Sequence, residues 1–312
     1  MSRLTKGYLI GLVGITIWST TGILISYLIS TYAFPALLLA FWRNLLVCVA
    51  LFPALMLFRR SLLRIDRVRL RFYSLYGLVL ALFNSIWTLS VQANGAAVAT
   101  VLGYSSAAFT AVFAWWLLKE TLRLPKIVAV ILSLVGCVLV SNAYSPEMWN
   151  INPLGVVTGL GSGVLFAGYN LLGKTAAQRG LNTWTSLFYS FAFAALFTGL
   201  FNLLPGLPGT AEASPNLLPD LPTPGWLILM LLAFGPTLLG FGLYNTSMNY
   251  LPASTASLIA TLEPALTTLE AYLFLSERMT SVQIVGSLVI LAAVVLMRLE
   301  KEPETTRVLS PG

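Results

Sequence analysis

Hydrophobic positions run through this chain in long blocks rather than in alternation. Runs of about 20 mostly apolar residues are the signature of helices that cross a bilayer. Ten can be drawn, at roughly 7–29, 35–58, 72–91, 96–118, 126–143, 153–174, 183–203, 225–247, 253–275 and 280–298. Polar positions fall between them as short connections, apart from a Pro-rich stretch at 204–224 and a polar C-terminal segment, EKEPETTRVLSPG. The first run is not read as a cleavable signal peptide. It is too long, lacks a small-residue cleavage site and passes through a polar step, Trp18-Ser19-Thr20-Thr21, before apolar character resumes. The pattern predicts an all-α membrane protein of ten transmembrane helices followed by a disordered cytoplasmic tail over 301–312.

Composition sharpens this by exclusion. The 312 residues are 57% hydrophobic and only 9% charged, against about 45–50% and about 25% in soluble domains. An ordinary soluble enzyme, a disordered chain and a nucleic-acid-binding module are all excluded by that scarcity. The net charge of +7 is therefore to be read as orientation. Sixteen of the 18 Lys and Arg residues lie before the first run, in the even-numbered connections or after the last run. They are Arg3 and Lys6, six arginines between Arg59 and Arg71, Lys119, Arg123 and Lys126, Lys174 and Arg179, and Arg298, Lys301 and Arg307. Arg278 falls in an odd-numbered connection and Arg43 within a span. The odd-numbered connections otherwise carry Glu147, Glu212, Asp220 and Glu277. Both termini are expected in the cytoplasm. Short loops point to a multi-pass protein of the inner (plasma) membrane of a bacterium or archaeon.

An internal repeat underlies the ten runs. Shifting residues 95–140 forward by 157 places them on 252–297 without a gap. Glu120 then meets Glu277, Ala99 meets Ala256, Thr110 meets Thr267, and Ile127-Val128 meets Ile284-Val285. A shift of 148 places Gly7 on Gly155, Gly11 on Gly159 and Trp18 on Phe166. The chain thus divides into two five-helix halves, 1–145 and 150–300. Five is odd, so the second half enters the membrane inverted, an arrangement typical of secondary transporters with a substrate site between the halves.

The paired segments AAVATVLGYSSAAFTAVFAWWLLKETL and ASTASLIATLEPALTTLEAYLFLSERM, with Trp18-Ser19 and Arg43, resemble the EamA-type members of the drug/metabolite transporter superfamily. The resemblance covers essentially the whole chain. It implies ten helices around a central cavity, alternating access and export of amino acids or other small metabolites. The second copy, with Glu263-Pro264 and Ser276-Glu277-Arg278, is close to the family pattern. The first copy carries Ala107 where a proline is common, so the kink expected of helix 4 has no proline behind it.

Ionisable groups inside a span are costly and mark functional hypotheses. Arg43, Glu263 and Glu270 are the three here. Glu263 and Glu270, seven apart, share a helix face with Thr267 between them, and Arg43 falls between the two carboxylates in depth. Arg43 is expected to bind a substrate carboxylate, with Glu263 binding an amine or, like Glu270, carrying a coupling proton. The alternative is a structural ion pair locking helices 2 and 9 together. Pro264 should kink helix 9 near 260–264, and Gly235-Pro236 offers a second break in helix 8. Both are candidate hinges.

Mid-span polar and aromatic residues form a second set: Trp18, Ser19, Asn84, Trp87, Tyr104, Tyr169, Asn170, Tyr244 and Asn245. They suit either a cavity lined by rings and amides or bonding between helices. Gly7-x-x-x-Gly11 and Gly155-x-x-x-Gly159-x-x-x-Gly163 read as close-packing faces, and the loop arginines as orientation and lipid-headgroup contacts. Glu120 and Glu277 are expected to satisfy turn or loop partners. Cys48 and Cys137 lie in apolar runs and read as packing residues. Histidine is absent, which removes the commonest metal ligand and the usual general base near neutrality. No phosphate-binding Gly-rich loop is present, so energy is expected from a proton or substrate gradient. No cofactor and no nucleic-acid partner is expected; the partners are a small-molecule substrate, the lipid bilayer and protons as candidate coupling ions. The competing classes are an intramembrane enzyme acting on a lipid-linked substrate and a channel.

Overall fold

The computed structural model describes residues 2–146, 153–204, 217–275 and 280–299, without the side chains of 94–97, 271–275 and 298–299. Glu147, Glu212, Glu277, Arg278 and the 301–312 tail lie outside the described residues. Every regular element among those described is helical.

The first rod is broken. α1 (Arg3–Trp18) gives way to α2 (Thr21–Tyr32) at Ser19-Thr20. Three consecutive hydroxyl side chains turn back onto their own helix there. Ser19 Oγ lies 2.6 Å from Thr16 O, Thr20 Oγ1 2.9 Å from Ile17 O and Thr21 Oγ1 2.6 Å from Trp18 O. Such back-bonding competes with the helix ladder and bends it. α3 (Ala36–Phe58) and a 3₁₀ turn (Arg60–Leu63) follow.

α4 (Arg67–Tyr104) covers 38 residues, which would measure about 57 Å as one straight helix. The packing shows that it doubles back. A Cβ on Gly159 would meet Leu102 Cβ at 2.8 Å and Ser90 Oγ at 2.9 Å, although twelve residues of straight helix separate atoms by about 18 Å. A Cβ on Gly103 would likewise lie 3.5 Å from the Trp87 ring. Two antiparallel limbs are therefore joined between Ser90 and Leu102, where the sequence separates its third and fourth runs.

α5 (Ser106–Leu118) and α6 (Leu124–Val140) complete the first half, and α7 (Pro153–Gln178) and α8 (Thr183–Leu203) open the second. α9 (Thr223–Leu232) passes through a π-helical turn, Ala233–Gly240, into α10 (Phe241–Ser247). α11 (Ala253–Ala260), α12 (Glu263–Leu275) and α13 (Ser281–Leu299) follow. Among the described residues seven segments are long and apolar enough to cross a membrane: Arg3–Tyr32, Ala36–Phe58, Arg67–Ala93, Val98–Leu118, Pro153–Gln178, Thr183–Leu203 and Thr223–Ser247. Leu124–Val140 and Ser281–Met297 are shorter apolar helices, and the run at 253–275 is divided into α11 and α12.

The breaks fall at related places. Pro236 sits inside the π-helical turn, where Thr237 Oγ1 donates to Leu232 O, five residues back, at 2.8 Å. Pro264 is the second residue of α12, directly after the interruption at Thr261-Leu262. The first half is interrupted at Ser105, which the 157-residue shift places on Leu262, although Ala107 stands at the proline position. At this break the Ser105 hydroxyl donates to Leu102 O at 2.6 Å.

Contacts gather the basic segments at one end of the bundle. Arg3 donates to Asn249 O, and Lys174 Nζ to Met248 O and Leu251 O. Thr185 and Tyr189 donate to Leu62 O and Leu63 O, and Asn249 Nδ2 to Thr183 Oγ1. Glu120 reaches further than a turn partner. It pairs with Lys126 at 3.5 Å and accepts from Ala253 N at 2.8 Å and from Ser254 Oγ, capping α11 in the other half. The glycine faces pack as the sequence implies: a Cβ on Gly7 would meet Tyr250 Cβ at 2.7 Å. α6 and α13 close on each other in the same way, through Gly136 and Gly286.

Candidate functional site

The interrupted helices converge on a central cavity enclosing about 480 Å³ of space between atoms, part of it open to solvent. Six of the residues expected from sequence line it: Trp18, Arg43, Asn84, Trp87, Tyr104 and Glu263. Thr21, Phe83, Thr100, Gly103, Phe166 and Phe241 complete the wall. One of these carries a signal in the sequence, since Phe166 is the repeat counterpart of Trp18. The two rings meet edge to face with centroids 5.6 Å apart. Trp18 also stacks on Phe241 at 4.2 Å, and Phe83 on Phe166 at 4.9 Å.

Two charged residues face this cavity, and each is held by a neutral partner. Arg43, 3% exposed on α3, donates from Nη2 to Asn84 Oδ1, and Asn84 Nδ2 in turn donates to Asn44 Oδ1 at 3.0 Å. Arg43 Nε has no partner among the described residues. A guanidinium carries five donors, and the described residues leave Nε free for a ligand. Glu263, 8% exposed, accepts from the Tyr104 hydroxyl. The helix break makes Glu263 the first residue of α12, where the helix dipole favours a negative group. The ion pairs among the described residues are Arg69–Asp66 and Lys126–Glu120. The ion pair considered from sequence between helices 2 and 9 is therefore not formed in this conformation.

Glu270 lies elsewhere. Its Oε1 is 2.6 Å from Ser19 Oγ, which also contacts Thr16 O, so one hydroxyl hydrogen is shared between two acceptors. Thr267 Oγ1 donates to Ser19 O at 2.8 Å. α12 thus grips the break between α1 and α2, and Ser19 belongs to that grip rather than to the cavity wall.

Tyr169, Asn170, Tyr244 and Asn245 form a layer beneath the cavity, toward the basic end. Tyr244 Oη donates to Asn170 Oδ1 at 2.8 Å, and Asn170 Nδ2 to Thr110 Oγ1 at 3.2 Å. Asn245 Nδ2 donates to Tyr169 Oη and to Phe241 O, both at 2.8 Å. Asn245 Oδ1 accepts from Tyr76 Oη at 2.9 Å. The sequence does not single out Tyr76, because nothing local distinguishes it from interfacial tyrosines. Pro236 and Pro264 line no part of the cavity, and each lies at a helix irregularity beside it.

The family pattern matches residues 5–142 and again residues 153–299. The chain belongs to the EamA-like transporter family. It is a multi-pass membrane protein, similar to an uncharacterized transporter of Synechocystis sp. (29% identical over 231 residues, 74% of this chain and 67% of that protein). It is also similar to the threonine/homoserine exporter RhtA of Salmonella typhimurium, at 26% over 239 residues, 75% of this chain and 73% of the exporter. The uncharacterized inner membrane transporter YicL of Salmonella typhimurium is 25% identical over 311 residues, 96% of this chain and 97% of its own. A crystal structure of 18% sequence identity shares the fold, with a TM-score of 0.76 over 95% of this chain and 99% of that one. Membership in the EamA-like family accords with a cavity lined by charges, amides and rings, and with relatives named as transporters rather than enzymes.

Proposed function

We propose that this EamA-like chain is a secondary transporter of the cell's inner membrane that exports a small zwitterionic metabolite, such as an amino acid, by alternating access. In this reading ten spans form two inverted five-helix repeats, 1–145 and 150–300, with the basic end and both termini in the cytoplasm. The twofold match of the family pattern and the corresponding breaks at Ser105 and Leu262 support that arrangement. The observation that carries the function is that Arg43 and Glu263 line one cavity, each held, among the described residues, by a neutral side chain. A buried charge without a counter-ion is costly, and a ligand with a carboxylate for Arg43 and an ammonium for Glu263 removes that cost on both sides. Trp18, Trp87 and Tyr104 would then cover its apolar part, and the similarity to an amino-acid exporter agrees with this class of solute. When no substrate is bound, Glu263 is the group placed to carry a coupling proton, with Tyr104 as its hydrogen-bond partner. Pro236 and Pro264 mark the joints about which the half-helices would turn.

The test is resistance of expressing cells to toxic levels of amino acids, followed by uptake of each protecting compound into inverted vesicles with and without a pH gradient. Uptake of an amino acid, lost on Arg43→Gln, supports the reading. Resistance to none, with uptake no better than in empty vesicles, removes the amino-acid assignment.

A further inference from the structure

A second cavity lies at the basic end, on the far side of the tyrosine and asparagine layer. It encloses about 220 Å³ of space between atoms, part of it open to solvent, and its wall includes Tyr76, Gly173, Thr183, Ser186, Asn245 and Asn249. We propose that this cavity is the second station of the translocation path, and that Tyr76, Asn245 and Tyr169 form the gate between it and the central cavity. The proposal rests on the alternating-access reading above and specifies where the path runs on the closed side.

Two residues, Tyr76 and Asn245, belong to both structures. Each contributes to the wall of the second cavity while bonding within the layer. On the other side of the layer, Phe166 and Phe241 belong to the central cavity wall. They stand three and four residues before Tyr169 and Asn245, about one helical turn. The Tyr169 ring meets Phe166 at 6.0 Å and Phe241 at 5.7 Å. The two cavities are thus separated by one ring layer and one hydrogen-bonded layer.

The gate bridges the two halves. Asn245 on α10 ties Tyr76 of α4 to Tyr169 of α7, so its bonds must break if α4 and α10 are to part. It closes against a position without a side chain: a Cβ on Gly173 would fall 2.9 Å from Tyr76 Oη and 3.0 Å from Asn245 Oδ1. The π-helical turn Ala233–Gly240 immediately precedes α10 and supplies a place for it to change direction. Two phenols and an amide offer both donors and acceptors. The solute class that passes is accordingly one carrying both kinds of group, which can replace the broken bonds as it moves.

The test places a cysteine at the central cavity wall, Thr100→Cys, in a background with Cys48→Ser and Cys137→Ala. A membrane-impermeant methanethiosulfonate reagent is applied from each side in vesicles of both orientations. Labelling from both sides is expected, with Asn245→Ala raising the rate from the basic end at least fivefold. Ala177 belongs to the wall of the second cavity, and Ala177→Trp, which places an indole there, should cut labelling from the basic end at least tenfold and leave the opposite side within twofold. Should Ala177→Trp not fold, Asn249→Phe, a smaller plug from another wall of the same cavity, serves the same purpose. Labelling from the basic end that is indifferent to the plug in folded protein would overturn the path while leaving alternating access intact. Labelling from one side only, in Asn245→Ala as well, would overturn alternating access itself.

Discussion

Tyr104, the last residue of α4, donates a hydrogen bond to Glu263, the first residue of α12, and so joins the helix breaks of the two halves at the cavity wall. The contact is 159 residues apart in sequence and unites positions that the internal repeat sets two apart. A hydrogen bond to a charged group is worth about 1.5–3 kcal/mol. Any movement of one half against the other changes what Glu263 can bond to, which makes its charge state sensitive to the conformation of the transporter.

Glu263→Gln keeps the shape and the ability to accept from Tyr104 but cannot release a proton. Uptake in inverted vesicles should lose its dependence on the pH gradient, while substrate counterflow, which moves no net proton, persists at a raised KM because the ammonium has lost its counter-charge. If the variant responds to the gradient as the parent does, Glu263 carries no coupling proton.

Tyr104→Phe strands the Glu263 oxygen that the phenol serves. Transport should fall about tenfold to a hundredfold, following the energy of the lost bond, and the pH profile of uptake should shift. A fall in rate with an unaltered profile would assign Tyr104 to packing alone.

Arg43→Lys preserves the charge and removes the planar fork that serves Asn84 and a carboxylate together. The apparent KM should rise at least tenfold with kcat changed far less. An unaltered KM would separate Arg43 from substrate recognition.

Glu120→Ala removes the cap of α11 and leaves Lys126 buried without its partner. Loss of one member of a buried pair costs about 3–5 kcal/mol. Thermal unfolding in detergent should show a large drop for Glu120→Ala, with partial recovery in Glu120→Ala combined with Lys126→Met. Equal melting temperatures for the two variants would mean that the pair contributes little beyond the cap.

Gly136→Leu places a side chain where a Cβ already falls 2.5 Å from Ile290 Cγ1 and 2.9 Å from the Gly286 carbonyl. Because backbone is one of the obstructing atoms, relaxation is limited. Overpacking of this kind costs about 1–3 kcal/mol, visible as a lower melting temperature. A melting temperature equal to the parent's would show that α6 and α13 separate without cost.

The helical class is legible from apolar run length alone, because a bilayer demands about 20 such residues per crossing whatever the tertiary context. The scarcity of charge likewise singles out Arg43, Glu263 and Glu270 from the linear pattern; the first two line the cavity, and Glu270 bonds Ser19 away from it. Their partners are not legible in the same way. Asn84 and Tyr104 stand among several mid-span polar residues with nothing in the linear pattern to set them apart. Tyr169, Asn170, Tyr244 and Asn245 belong to the same group yet form a separate layer. The break in helix 4 escapes the linear pattern because its expected signal is a proline. A serine hydroxyl bonds back to Leu102 there, a choice of rotamer that no residue name records.

By itself, then, the sequence determined the membrane class, the repeat and which charges lie within spans, since each follows from composition and period. Tertiary structure alone decided which of those charges share a cavity and which neutral groups hold them. It also bonded Tyr76 to Asn245 of the other half. The physical reason is that desolvation acts on single residues and is readable one position at a time. Hydrogen-bond partnership depends on which helix faces meet, and here they meet through close approaches at Gly159, Gly173 and Gly136 set by the packing of the whole bundle.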